Sequence, residues 1–171
     1  IGIQTFSDII NENYIYIDKT KYALDLIENY KYVFLSRPRR FGKSLFLDTL
    51  QEIFLGNKEL FKGLYIYEKY QFEEYPIMKI ALNDDFSKLN RDEIEQIIIK
   101  KLLEISDYYK IKIENSSASI MFSSLIREIY DKYKKRVVIL IDDWDKPLRD
   151  NLLSKNAKEI NDLLCGIYIS T

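Results

Sequence analysis

The sequence predicts an α/β fold built on a mainly parallel sheet, and three observations carry that expectation. Short apolar runs alternate with longer stretches of helical periodicity along the chain. Two of the runs, Tyr32-Val33-Phe34-Leu35 and Val137-Val138-Ile139-Leu140-Ile141, are continuous, as strands buried on both faces of a parallel sheet are. Each of these two ends in a polar turn with a helical pattern behind it. A chain of 171 residues with 47% hydrophobic and 14% aromatic content is enough to bury a sizeable core in one domain.

The elements follow in order. Residues 5–11 read as a short helix, Tyr14-Ile15-Tyr16-Ile17 as a short strand, and residues 22–28 as a helix with Leu24, Leu26 and Ile27 available for burial. The run Tyr32-Val33-Phe34-Leu35 reads as a strand leading into a turn that holds Pro38 and Gly42. Beyond it Leu45, Phe46, Leu47, Leu50, Ile53 and Phe54 recur at helical spacing, and Gly56 supplies the stop. Residues 76–82 read as the next strand. Asn90, with Glu93 three residues on, is a capping-box signature for a helix carrying Ile94, Ile97, Ile98, Leu102 and Ile105. A further helix carries Phe122, Leu125, Ile126, Ile129 and Tyr133. Val137-Val138-Ile139-Leu140-Ile141 is the clearest buried strand, and residues 156–167 form the last helix, with Ile160, Leu163 and Leu164 on its apolar side and Cys165 as a small buried residue.

Composition excludes several classes of function. Lysine plus arginine total 26 against 27 acidic residues, so no overall field draws the chain to nucleic acid or to an anionic membrane. A single cysteine and no histidine remove the Cys/His metal sites and the histidine-based triads. The N-terminus has no signal-peptide pattern and no apolar run approaches the ~20 residues of a membrane span, so the cytoplasm is the default expectation. The chain lacks an initiating methionine and stops in the apolar stretch Gly166-Ile167-Tyr168-Ile169, which reads as an excerpt of something longer.

The chemistry is expected where two strands end. A loop between a buried strand and a helix presents successive backbone N–H groups and a positive helix terminus to an anion, which is how a P-loop cradles phosphate. Gly42 allows close approach, Lys43 reaches the β- and γ-phosphates, and the Ser44 hydroxyl coordinates Mg²⁺. Against the pattern G-x-x-x-x-G-K-[ST], Arg37 stands where the first glycine belongs. Taken alone, Gly-Lys-Ser is better read as an exposed turn opening a helix. A carboxylate at the end of a neighbouring strand supplies the missing half: Asp142 follows five apolar residues, where a P-loop enzyme holds its magnesium. An acidic strand cap facing water is the plain alternative for Asp142. The two motifs together, in the required order, favour Mg·ATP binding.

Three stretches resemble one family. Ser36-Arg37-Pro38-Arg39-Arg40-Phe41-Gly42-Lys43-Ser44 resembles the arginine-rich P-loop of the AAA-ATPase-like family. Tyr14-Ile15-Tyr16-Ile17-Asp18-Lys19-Thr20 resembles its "YYVDKT" segment, and Ile141-Asp142-Asp143-Trp144-Asp145-Lys146-Pro147 its "IDEYDTP" segment. The resemblance implies a three-layer P-loop NTPase fold in which residues 1–30 are an N-terminal extension packing near the nucleotide and residues 31–171 a core truncated at its C-terminus. It also implies a nucleotide site drawn from Lys19, Thr20, Arg37, Arg39, Arg40, Phe41, Gly42, Lys43, Ser44 and Leu45, with Ser44 and Asp142 on the metal. Lys43 and Asp143 would be the catalytic pair, Asp143 orienting the attacking water. Asp143 stands where the family has glutamate and Trp144 where it has tyrosine; a carboxylate set back by roughly 1–1.5 Å can cost ~10²-fold in rate. Many members carry a PD-(D/E)XK nuclease-like domain after the ATPase part. The P-loop architecture implies a further central strand with a polar sensor residue after the stretch seen here, lying between the Tyr32–Leu35 and Val137–Ile141 runs.

Other features take plainer readings. Arg37, Arg39 and Arg40 serve nucleotide phosphates or an acidic partner better than nucleic acid. The 14 tyrosines show no aromatic-basic alternation and read as packing and surface rather than a base-stacking platform. Asp145 is a supporting acid or a simple cap. The function expected is magnesium-dependent ATP binding with slow hydrolysis, an ATP-driven switch. The alternatives are a degenerate nucleotide-binding module acting through a protein partner or a missing C-terminal domain, and a small-molecule kinase, for which no acceptor site or lid is visible.

Overall fold

The structure is a computed structural model and describes residues 5–38 and 40–169. The chain forms two compact units, Ile1–Ile77 and Met78–Thr171.

The first unit is helical. It comprises α1 (Phe6–Asn11), α2 (Thr20–Asn29), α3 (Lys43–Phe54) and a 3-10 turn at Lys58–Phe61. Phe6, Ala23, Leu24, Ile53, Phe61, Ile66 and Phe72 form its core. Phe6 stacks on Phe61 with ring centres 4.7 Å apart and meets Tyr16 edge-on at 5.1 Å. Its backbone N–H, at the uncapped start of α1, donates to the buried Asp48 carboxylate of α3 at 2.7 Å. That bond satisfies one of the amides a helix start leaves without an intrahelical acceptor, and fastens the N-terminal segment to α3. Gly56 ends α3 as its position predicts. At φ +77° it donates to the Ile53 carbonyl while Asn57 N–H reaches back to Glu52 O at 3.2 Å, a Schellman closure.

Two expected strands are absent from this unit's described residues. Tyr14-Ile15-Tyr16-Ile17 is irregular chain, with Ile15 and Ile17 exposed. Tyr32-Val33-Phe34-Leu35 is likewise unpaired and exposed, with Phe34 83% accessible. A strand forms only where a neighbour takes up its backbone N–H and C=O groups. Within this unit the described residues supply no such neighbour, because β1 (Ile77–Ala81) begins at its last residue. The apolar run is therefore a strand by composition that lacks a ladder.

The second unit pairs β1 with β2 (Val138–Asp142) in a two-stranded parallel sheet, packed with α4 (Arg91–Tyr109), α5 (Ala118–Tyr133), α6 (Lys146–Asp150) and α7 (Ala157–Ile169). Its core joins Met78, Ile80 and Leu82 to Ile94, Ile98, Leu102, Phe122, Leu125, Ile129, Ile160 and Leu164. The Asn90–Glu93 capping box is formed: the Asn90 side chain accepts from Asp92 and Glu93 amides, and Glu93 accepts the Asn90 N–H at 2.8 Å. The buried Glu95 carboxylate accepts the Ala118 N–H at 3.0 Å, joining α4 to the start of α5.

The sheet departs from the expected one. Met78 and Ile80 are buried on one face of β1, whereas Lys79 on the other is exposed. In β2 only Leu140 is buried; Val138, Ile139 and Ile141 are half-buried, with Ile139 and Ile141 packed against the core, so the run is less enclosed than expected. The sheet of the described residues has two strands, and the chain is mixed α/β. β2 finds its partner in β1, not in the Tyr32–Leu35 run. Cys165, expected inside, is exposed on α7. The short helix α6 was not anticipated, since its five residues carry too little apolar periodicity to register.

Candidate functional site

The expected phosphate loop lies in the first unit, at the start of α3. Gly42 is the N-cap residue at φ +74°, no side chain caps the helix, and the first closing bond runs from Phe46 N–H to Gly42 O at 2.9 Å. The amides of Lys43, Ser44 and Leu45 precede that bond and have no intrahelical acceptor. They mark the positive end of the helix dipole, the environment that attracts phosphate. A Cβ added to Gly42 would meet nothing within 4 Å, so the space over the turn is open and glycine is required by the left-handed backbone alone. Arg40 also takes a left-handed conformation, φ +65°.

Side chains complete the turn. Lys43 Nζ donates to the Arg37 carbonyl at 2.8 Å, tying the lysine back to the residue that occupies the first-glycine position. Arg37, Arg40 and Phe41 are exposed, while Lys43, Ser44 and Leu45 are half-buried. Arg39 lies outside the described residues.

Lys19 and Thr20 differ in what they offer. Lys19 is the exposed residue preceding α2. Thr20 is fully buried, and its hydroxyl is committed: it donates to Asp18 Oδ1 at 2.7 Å and accepts the Ile66 N–H at 3.2 Å. Asp18 Oδ2 accepts the Tyr65 N–H at 2.7 Å. Burial pushes the Asp18 carboxyl up, but the Thr20 hydroxyl and the Tyr65 and Thr20 amides outweigh it and hold the group below the usual carboxylate range. The Asp18-Lys19-Thr20 segment therefore fastens α2 to the turn at residues 65–66. The Thr20 hydroxyl positions this segment.

The expected acidic residues, Asp142 and Asp143, lie in the second unit. Asp142 closes β2, and its carbonyl accepts the Leu82 N–H at 3.0 Å in the last rung of the sheet. Its side chain and that of Asp143 are half-buried. Asp143 is left-handed, φ +53°, a conformation aspartate tolerates better than glutamate because its short side chain can bond locally. Asp143 Oδ1 stands 4.0 Å from Arg149 Nη2, and Asp145 pairs with Arg149 Nη1 at 2.8 Å, so Asp145 serves as a local partner.

The donor chemistry fits magnesium. The Ser44 hydroxyl and the Asp142 carboxylate are hard oxygen donors, and Mg²⁺ takes one or two protein oxygens and completes its shell with water and substrate phosphates. Among the described residues no group of three or more His, Cys, Asp or Glu side chains is arranged as an all-protein cage. Ser44 belongs to the first unit and Asp142 to the second. Sequence reasoning missed the polar contacts that surround the Asp142 turn, through Asp84, Lys146, Asp150 and Asn151. The only signal was the spacing of Lys146 and Asp150, four apart on a helix; the partners across the sheet have none.

A glycine turn followed by lysine and serine at a helix start in an α/β chain is a pattern that suits nucleotide phosphates. The family described as "Predicted AAA-ATPase" matches residues 1–169, and the chain belongs to that family, whose membership implies nucleotide binding. A protein described as "Uncharacterized protein in vnfD 5'region", from Azotobacter chroococcum mcd 1, is 40% identical over 171 residues. That alignment takes in 98% of this chain and 33% of the relative, so the chain spans about a third of that protein's length. No solved structure matches. No helix among the described residues is long and apolar enough to cross a membrane.

Proposed function

We propose that the chain binds ATP as its magnesium complex and hydrolyses it slowly, acting as an ATP-driven switch in the cytoplasm. The observation that carries this reading is the start of α3: a left-handed Gly42, three amides without intrahelical acceptors, and a lysine at the first helical position. The amides of Lys43, Ser44 and Leu45 receive the phosphate oxygens. Lys43 exchanges the Arg37 carbonyl for the β- and γ-phosphates, and Arg37, Arg39 and Arg40 add charge beside them. Phe41 is exposed at the edge of the turn, and Lys19 lies in the same unit. Ser44 and Asp142 hold the metal, which when bound offsets charge on the phosphate oxygens. Asp143 orients the attacking water.

A second reading has its own support. Asp143 is shorter than the acid the family carries there and sits in a left-handed turn that favours aspartate, which suits a module that binds nucleotide without productive turnover and acts through a protein partner. Calorimetry with and without Mg²⁺ tests what both readings share. Lys43→Ala should weaken ATP binding by about 10–100-fold, the worth of a charge-assisted contact of roughly 1.5–3 kcal/mol. Equal affinity in Lys43→Ala and wild type would end both. Single-turnover hydrolysis then separates the switch from the silent module.

A further inference from the structure

The turn that carries Asp142 and Asp143 is tied to the loop after β1 by the side chain of Lys146. The Lys146 ammonium donates to the Asp84 carbonyl and to Asp150 Oδ2, the latter at 2.6 Å, and lies 5.3 Å from the centre of the Phe86 ring. Asp150 Oδ2 also accepts the Phe86 N–H at 3.5 Å. Asn151, 4% exposed, donates from Nδ2 to the Phe86 carbonyl at 2.6 Å and to the Pro147 carbonyl at 3.0 Å. On the other side of the loop, Lys101 of α4 pairs with Asp84 at 2.9 Å. The loop at residues 84–86 and the segment at 146–151 are thus joined through both backbone and side chains.

The same residue closes the acidic turn itself. Lys146 N–H donates to the Asp143 carbonyl at 2.9 Å, across the left-handed step. Its backbone holds the turn and its side chain anchors that turn to the neighbouring loop. A simple i,i+4 pair on a helix would account for the contact with Asp150. It would not account for bonds that leave the helix and converge on Asp84 and Phe86. The Lys146 and Asp150 side chains are 20% and 17% exposed, which screens them far less than a surface pair.

We propose that Lys146 is a positioning residue for the magnesium carboxylate: by fixing the 143–146 turn to the loop after β1, it sets the direction in which the Asp142 side chain is presented. The inference rests on the reading that Asp142 takes the metal of Mg·ATP. Electrostatics and positioning predict opposite signs here. Removing a positive charge close to a cation site strengthens cation binding, whereas loosening the support of a metal ligand weakens it by about 10–100-fold.

The test titrates Mg²⁺ into the full chain with a fluorescent ATP analogue, alongside affinity for the analogue in chelator. Lys146→Met should raise the Mg²⁺ concentration at half-saturation about tenfold or more and leave metal-free affinity unchanged. Lys146→Arg, which keeps charge and donors, should restore it, and Asp150→Asn should shift it in the same direction by less. An unchanged or lowered Mg²⁺ requirement in Lys146→Met, or an equal loss of metal-free affinity, overturns the proposal. If the wild-type chain shows no magnesium-dependent binding, the underlying reading fails and positioning is read from amide exchange. Lys146→Met should then speed exchange at Leu82 and Phe86 while α4 stays protected, and unchanged rates at those two amides refute the tie.

Discussion

Replacing Thr20 by valine separates a structural role from a ligand-binding one at a residue whose motif points to the nucleotide. Valine keeps the shape and removes the hydroxyl. Two bonds are lost: the donor to Asp18 at 2.7 Å and the acceptor of the Ile66 N–H at 3.2 Å. Ile66 is fully buried, so its amide is left without a partner, at about 1–3 kcal/mol. Asp18 is exposed enough for water to replace much of what the hydroxyl gave, which limits that share to about 0.5–1 kcal/mol. The expected loss is therefore about 1.5–4 kcal/mol, a large part of the ~5–15 kcal/mol by which domains are stable. Thr20→Ser keeps both bonds and removes one methyl, for about 1 kcal/mol. The chain's single tryptophan, Trp144, reports on the second unit, so the loss must be read from hydrogen exchange of α2 and α3 amides in denaturant. ATP affinity of the folded fraction should be unchanged. Equal stability of Thr20→Val and Thr20→Ser would refute the argument, and lost affinity in a fully folded Thr20→Val would return Thr20 to the binding site.

Three further outcomes are expected. Because Asp18 has a folded pKa below its unfolded value, it stabilises the first unit fully above about pH 4, and that stability is lost as pH falls through the folded value; denaturation at pH 6 and pH 3 should show a steeper acid loss in wild type than in Asp18→Asn. Gly56→Ala places a side chain at φ +77° with its Cβ 3.1 Å from the Phe72 carbonyl, so thermal melting should reveal a loss of about 1–2 kcal/mol or more, whereas an unchanged midpoint would mean the turn relaxes freely. Asp143→Glu should raise single-turnover hydrolysis with little change in ATP affinity, and an unchanged or lower rate would show that the length of this acid is not limiting.

Local signals in the sequence carried most of the helices. The capping pair Asn90 and Glu93, the terminator Gly56 and the periodic apolar residues of α3, α4 and α5 each act within a few residues of one another, and the structure realises them as read. The turn at the start of α3 was legible for the same reason: a left-handed glycine followed by lysine and serine at a helix start needs only its own stretch of chain. Cys165 shows where this reasoning stops, because a helical position says which face a residue occupies only once the packing of that helix is known.

What the sequence by itself determined, then, are features whose partners are near neighbours along the chain: the longer helices, the glycine turn and the placement of an acidic pair at the end of an apolar strand. Only the tertiary structure decided which apolar runs pair. Tyr32-Val33-Phe34-Leu35 and Val137-Val138-Ile139-Leu140-Ile141 look alike in composition, yet only the second gains a ladder, because strand formation depends on a distant segment taking up backbone groups and β1 does so for β2 alone. The same holds for the buried Thr20 and for Lys146, whose bonds to Ile66 and Asp84 span long stretches of sequence; hydrogen bonds of that reach leave no periodic trace and exist only once the chain has folded.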